Sequence, residues 1–349
     1  MKTNKPTIVG VLLLMILVFG GCARKPLSDL DHPIEGKKAL QLEAAWKIDD
    51  LIGNNPMFNM GVAAGQVYSI RDRGDKLAMV FTKLDGEETS SFLIPKGKGP
   101  GEMLSPMQTT LSEKFFMIYD IQLLKFSLYS PRGDFLEDVM MDPDQGIPFF
   151  HQQTGETFLY SGLLRVKYGE GRIEDGAVTT LRKTEYEDIY RGMEELETRG
   201  MRLTIPLVSD GALYSLTSQG SLRLARMDEQ WNEEKVYADL PGSLITFGIA
   251  ADRAHLYLPF PADLEKAQRT GKMKTDCSVA VFDKESGRHL YTLTGPVPRF
   301  EGMLSAVGVT EGKLVLLAID DTGDLSRALG SGGETAPGGD HWILVCSLP

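Results

Sequence analysis

Cysteine is scarce: 3 in 349 residues, which excludes a small scaffold stapled by disulfides. Histidine is scarce too, with 5 in all, and none stands at metal-ligand spacing from another His or a Cys. No metal site is therefore assigned. Basic residues are outnumbered, 37 Lys and Arg against 48 Asp and Glu for a net charge of −11. Nothing would neutralise phosphates along a continuous face, so nucleic acid is excluded as a partner. No Gly-x-Ser-x-Gly elbow and no Ser, His and Asp set stands out, so no catalytic residue is assigned. Aromatic residues amount to 8%. What the chain does have is 37 Gly and 18 Pro beside 42% apolar residues: a large core cut by many turns. The length fits two domains of about 150 residues or one large all-β domain.

The first residues read as an address. Lys2 and Lys5 precede the apolar run Ile8 to Gly21, which is 14 residues long, whereas a membrane-crossing helix needs about 20. The run ends Val18-Phe19-Gly20-Gly21-Cys22. Two small residues directly before the first cysteine resemble the lipobox of bacterial lipoprotein signal peptides. That resemblance implies removal of residues 1–21, a diacylglycerol thioether on Cys22 and an acylated amino terminus. Acyl chains add about 0.8 kcal/mol per buried methylene, so several together hold a protein on a membrane. The mature chain would carry −13, since residues 1–21 hold two Lys and no acid. Residues 22–40 then read as the lipidated Cys and a tether. Ala23 rather than Asp after the cysteine implies, by sorting analogy, an outer-membrane protein facing the periplasm.

A short pattern recurs through the remainder, a polar or Gly turn followed by a β-rich run with Tyr, Phe or Leu. Anchored on Val67, Phe116, Phe158, Leu213, Leu256 and Leu314, its spacings are 49, 42, 55, 43 and 58 residues. Six such units over 41–349 predict an all-β, six-bladed β-propeller with four strands per blade. In the second unit, strands are predicted over Met107–Ser112, Phe115–Asp120, Leu123–Ser130 and Phe135–Met141, with the turn Ser130-Pro131-Arg132-Gly133-Asp134 between the last two. The sixth unit lacks a strand after Ser347, and Leu42–Ile48 is expected to supply it, pairing Trp46 beside Trp342–Ser347. The third unit is incompletely legible: after Phe158–Leu164 comes a predicted helix, Glu185–Arg199, with Thr184 and Glu187 as a capping box. A second short helix is expected over Ala262–Gly271.

Ile94-Pro95-Lys96-Gly97-Lys98-Gly99-Pro100-Gly101-Glu102-Met103, followed by Pro106, Phe116 to Asp120, Lys125-Phe126, Tyr129 and Gly133-Asp134-Phe135, resembles one unit of the NHL-type six-bladed propellers. More narrowly it is similar to bacterial six-bladed β-propeller lipoproteins, with Met103 where that family usually has Phe. The resemblance implies fold and envelope location but no single activity. The glycine loop lacks a Gly-Lys-Ser/Thr ending, so it reads as a tight crossing between blades and not as a phosphate cradle.

Propeller geometry brings the starts of first strands and the ends of second strands to one face. That face would collect Asp72, Asp120 and Asp320 with Asn59, Gln108 and Thr246, a candidate ligand-binding ring for a cation, a sugar or a basic peptide. No motif indicates a cofactor, although such a ring would accept a divalent cation such as calcium. The connections Pro261–Asp276 and Asp321–Asp340 are long enough to be binding elements on this face. The function expected is a non-catalytic, lipid-anchored binder of an envelope protein, peptide or glycan. The alternatives are a metal-dependent lactonase- or lyase-type enzyme at the channel mouth and a structural scaffold of an envelope complex. Cys277 and Cys346, placed at opposite ends of equivalent strands about 15 Å apart along the axis, are expected to stay unpaired.

Overall fold

The structure is a computed structural model. It describes Leu30 and residues 33–52, 58–111, 114–140, 148–154, 157–162, 166–174, 176–185, 203–218, 221–242, 244–246, 248–263, 266, 269–270, 273–295, 297, 299–329 and 339–349. Two strands open the chain, β1 (Lys37–Ala39) and β2 (Gln41–Ile48). Blade 1 follows as β3 (Met60–Ala63), β4 (Gln66–Asp72), β5 (Lys76–Lys83) and β6 (Glu88–Pro95). Blade 2 is β7 (Pro106–Leu111), β8 (Phe116–Asp120), β9 (Lys125–Tyr129) and β10 (Phe135–Met140). Blade 3 is β11 (Pro148–Thr154), β12 (Thr157–Gly162), β13 (Val166–Glu174) and β14 (Ala177–Glu185). Blade 4 is β15 (Leu203–Ser209), β16 (Ala212–Ser218), β17 (Ser221–Met227) and β18 (Glu233–Pro241).

Blade 5 is entered through β19 (Leu244–Ile245), continues as β20 (Ala250–Ala251) and β21 (His255–Pro259), and is interrupted by β22 (Ala262–Asp263) and β23 (Lys274–Thr275). It resumes with β24 (Ser278–Asp283) and β25 (His289–Thr294). Blade 6 holds β26 (Phe300–Thr310), β27 (Lys313–Asp320), the helix α1 (Asp324–Ala328) and β28 (Asp340–Ser347). The inner strands β3, β7, β11, β15, β20 and β26 stand side by side round a central channel, with β26 returning to β3. The six-bladed β-propeller expected from the repeat is the fold.

Middle strands are apolar on both faces because each blade is packed between two others. β8 is buried at all five positions and β27 at all but its first. Such strands read as continuous apolar runs, while outer strands, wetted on one side, alternate or turn polar. β6 and β14 are of that second kind. β14 explains why blade 3 was only partly legible: its sequence carries no apolar period. Thr184 and Glu185, expected to cap and begin a helix, are its last two residues; residues 186–199 lie outside those described. In β13, Gly169 and Gly171 make room for the rings of Tyr160 and Phe158, which a Cβ would approach to 2.1 and 2.8 Å.

The ring closes as predicted. β2 pairs antiparallel with β28, placing Trp46 opposite Ile343 and Lys47 opposite Trp342. Residues 33–40, expected within the tether, are already folded: β1 adds to blade 5 as a fifth strand, parallel to β25. One continuous stretch therefore ties blade 5 to blade 6 and covers both outer edges. Where a helix was expected over 262–271, Ala262–Asp263 pair with Leu244–Ile245, and Lys266 and Arg269–Thr270 are helical. α1 lies within the long connection of blade 6, where no helix was expected.

Both thiols, Cys277 and Cys346, are free and buried. The expected reason does not hold. Blade twist turns the outer strands across the axis, and both residues join one apolar cluster with Leu40 and Leu293. Burial pushes the Cys277 thiol up to about 12; burial, and then the nearby Cys277, raise Cys346 as well.

Candidate functional site

The glycine loop between blades 1 and 2 is latched from within. Gly101 (φ +67°) sits where a Cβ would come within 2.8 Å of the Phe135 ring. Its N–H donates to Asp138 at 3.1 Å and its carbonyl accepts from the Tyr129 hydroxyl at 2.5 Å. Gly99 N–H donates to Glu102 at 2.7 Å, and buried Lys125 bridges the Gly99 carbonyl (3.0 Å) to Asp138 (2.7 Å). These amides are turned onto carboxylates of the chain itself, which fits the crossing role and leaves no cradle for a phosphate.

Two of the three candidate carboxylates are spent in the same way. Asp120 is fully buried and accepts four backbone N–H bonds: Leu104 (2.6 Å) and Ser105 (2.9 Å) on one oxygen, Gln122 and Leu123 (both 2.9 Å) on the other. It pins the entry of blade 2 to the β8–β9 turn. Asp320, also fully buried, accepts from Leu325 (2.7 Å), Thr322 and Asp324 (both 3.2 Å) and so caps α1. Asp72 is the exposed one. Lys96 grips both its oxygens at 2.8 Å, which holds its carboxyl below the usual range. Backbone amides thus occupy the first two carboxylates and a lysine the third.

The neutral candidates behave differently. Asn59 is 1% exposed, and its side-chain amide donates to the carbonyls of Ile52 (3.4 Å) and Pro106 (3.3 Å), tying the entries of blades 1 and 2 together. Its Oδ1 has no hydrogen-bond partner among the described residues. The same is true of Thr246 Oγ1, buried in the entry of blade 5. Gln108 is buried on β7. Its neighbour Thr109, which sequence reasoning passed over, is 7% exposed, lines the channel and has an Oγ1 without a partner among the described residues. A threonine in a β-strand, here followed by Thr110, carries no signal that would have singled it out.

The channel cavity itself measures ≈ 360 Å³, and the described residues that wall it come from blades 1, 2, 4, 5 and 6. Its walls include Phe58, Met60, Ile205, Ile249 and Val307 with small and hydroxyl residues between them, and no charged side chain among the described residues lines it. Close packing of the inner strands narrows it: a Cβ on Gly248 would lie 2.3 Å from the Ala306 carbonyl. Above the entries, the long connection of blade 5 pairs back through β22 to β19 and through β23 to β26. Among the described residues this is an uncharged pocket in which apolar side chains stand beside a larger share of exposed polar atoms, with a few convergent hydrogen-bonding groups as in small-ligand sites. Among the described residues no group of three or more His, Cys, Asp or Glu could hold a metal ion.

No protein-family model and no curated protein matches the chain. Among solved structures it is similar to a putative exported protein from Bacteroides fragilis, at 11% identity and a TM-score of 0.51 over 90% of this chain and 99% of that one. A member of the DUF4221 family from Bacteroides vulgatus is similar at 9% identity and a TM-score of 0.49, over 88% and 97% of the two chains. Streptogramin B lyase matches at 12% identity and 0.43, over 89% and 88%. At these identities the likeness is one of fold.

Proposed function

We propose that this chain is a lipid-anchored propeller of the bacterial envelope that binds an uncharged glycan in its channel and carries out no chemistry on it. The observation that carries the reading is a cavity whose described lining bears no charge and leaves hydrogen-bonding atoms open: Thr109 Oγ1 on its wall, with Asn59 Oδ1 and Thr246 Oγ1 at the blade entries. A buried polar atom without a partner costs about 1–3 kcal/mol, and a hydroxyl-rich ligand repays that cost while its apolar faces meet Phe58 and Ile249. A cation or a basic peptide would need free carboxylates, and Asp120 and Asp320 have theirs committed. Export is supported by the run ending Gly20-Gly21-Cys22 and is in keeping with the description of the Bacteroides fragilis neighbour.

The test is binding of neutral and acidic oligosaccharides on a glycan array, followed by calorimetry with any that bind. Thr109→Val removes the open hydroxyl at constant shape. It should weaken a neutral oligosaccharide about tenfold, the worth of one hydrogen bond of roughly 1.4 kcal/mol. Thermal stability of the free protein should stay level or rise, because the variant removes an unsatisfied group. Binding confined to acidic oligosaccharides, or unchanged affinity in the variant, would refute the reading.

A further inference from the structure

Eight residue steps separate Cys22 from Leu30. Leu30 is already part of the fold. Its side chain is 5% exposed within the apolar cluster shared by blades 4 and 5, and its carbonyl accepts a hydrogen bond from the Thr292 hydroxyl at 3.1 Å. Farther on, the Ile34 N–H donates to the His289 carbonyl at 3.4 Å and the Glu35 N–H to that of Leu290 at 2.7 Å. The chain is thus fastened to the outer edge of blade 5 before β1 begins. An extended chain spans at most about 3.3–3.6 Å per residue, so eight steps reach about 29 Å at most. A folded body of about 320 residues has a radius of gyration of about 20 Å, and hence a width of about 50 Å.

In a ring of six, blade 5 stands across the channel from blade 2. From these lengths we infer that the outer edge of blade 5 is the membrane-proximal rim of the propeller and blade 2 the distal one. This rests on the lipid-anchor reading above. Setting blade 2 against the lipid would lift Leu30 by the width of the body, beyond the reach of its own tether. With blade 5 down, the channel axis lies along the bilayer surface. Both mouths then open to water, and a ligand enters the channel without crossing lipid. The exposed Phe135, Leu136 and Met140 of β10 face away from the membrane.

The measurement is energy transfer to the lipid surface. The acylated full-length protein is bound to phosphatidylethanolamine–phosphatidylglycerol vesicles that carry an acceptor-labelled lipid. A donor is attached through Arg288→Cys or Arg132→Cys, exposed positions in equivalent turns of blades 5 and 2. The native Cys277 and Cys346 are buried and do not compete for the label. Transfer should be several-fold higher from position 288. A Gly/Ser insertion of about 30 residues after Lys25, adding about 30 Å of root-mean-square reach, should erase that difference. Equal transfer from the two positions, higher transfer from 132, or a difference that survives the insertion overturns the orientation. Protein that retains Cys22 yet does not float with the vesicles overturns the anchor reading itself, a result separate from any pattern of transfer.

Discussion

Asp120 is the sharpest place to separate a carboxylate that holds the fold from one that waits for a ligand. In Asp120→Asn one carboxylate oxygen becomes an NH₂ group of the same size. Whichever way the amide turns, two of the four backbone donors, either those of Leu104 and Ser105 or those of Gln122 and Leu123, face another donor. Hydrogen bonds to a charged group contribute about 1.5–3 kcal/mol each, and the site is fully buried, so no water replaces the two that are lost. The expected destabilisation is about 3–5 kcal/mol, a large share of the 5–15 kcal/mol typical of a domain. At about 2–4 °C per kcal/mol for a body of this size or slightly smaller, Tm should fall by about 6–20 °C. Urea unfolding should show the midpoint moving down at unchanged m. Asp72→Asn is the control: its partner Lys96 and its own exposure make it a surface pair worth about 0–1 kcal/mol. If Asp120→Asn came out as mild as the control, the carboxylate would not be bracing the loops, and its return to the ligand-binding ring would follow.

In β13, Gly169→Ala should cost about 1–3 kcal/mol, because the new methyl would lie 2.1 Å from the Tyr160 ring and force the strands apart; a loss below 0.5 kcal/mol in urea, on the order of an ordinary surface change, would refute the packing of blade 3. His341 has its pKa lowered, first by burial and then by Lys47, against an opposing pull from Asp340. The unfolded chain therefore takes up this proton first, so stability is full above the ordinary histidine value near 6.5 and declines as pH falls below it. His341→Gln should flatten that decline between about pH 6.5 and 5, and an NMR titration midpoint at or above 6.5 would contradict the assignment.

How much of this was legible in the sequence follows from where each strand lies. The middle strands of blades 1, 2 and 4 are apolar runs bounded by Gly, Asp and Pro turns, so the strand expected over Phe115–Asp120 is found at Phe116–Asp120, one residue shorter. Closure by Leu42–Ile48 was legible by counting, since blade 6 is one strand short without it. Blade 3 was not. β13 is interrupted by glycines whose reason, the rings of Tyr160 and Phe158, lies on another strand. β14 shows a polar face that reads equally as loop or helix start. At the candidate site, residue type and level in the blade located Asn59, Gln108, Thr246 and the three aspartates. What a sequence does not carry is the number of donors already aimed at each. Asp120 and Asp72 look alike as strand-end carboxylates, yet one meets four amides and the other a lysine.

The same limit explains the thiols and leads back to the amino terminus. A flat picture of the blades puts Cys277 and Cys346 at opposite ends of parallel strands; twist brings both to the seam where the chain passes from β1 on blade 5 to β2 on blade 6, with Leu40 between the two strands. That seam is where a propeller is weakest, since first and last blades must find each other across the whole chain. In the lipid-anchored form proposed above, the closing segment would also be the end of the tether. A pull on the lipid anchor would be borne first by Leu30 and its bond from Thr292, and next by β1 lying parallel to β25. The ladder of β2 on β28 lies behind both. The order of attachment therefore protects the ring: the tether can strain the added fifth strand of blade 5 before it touches the strand that completes blade 6.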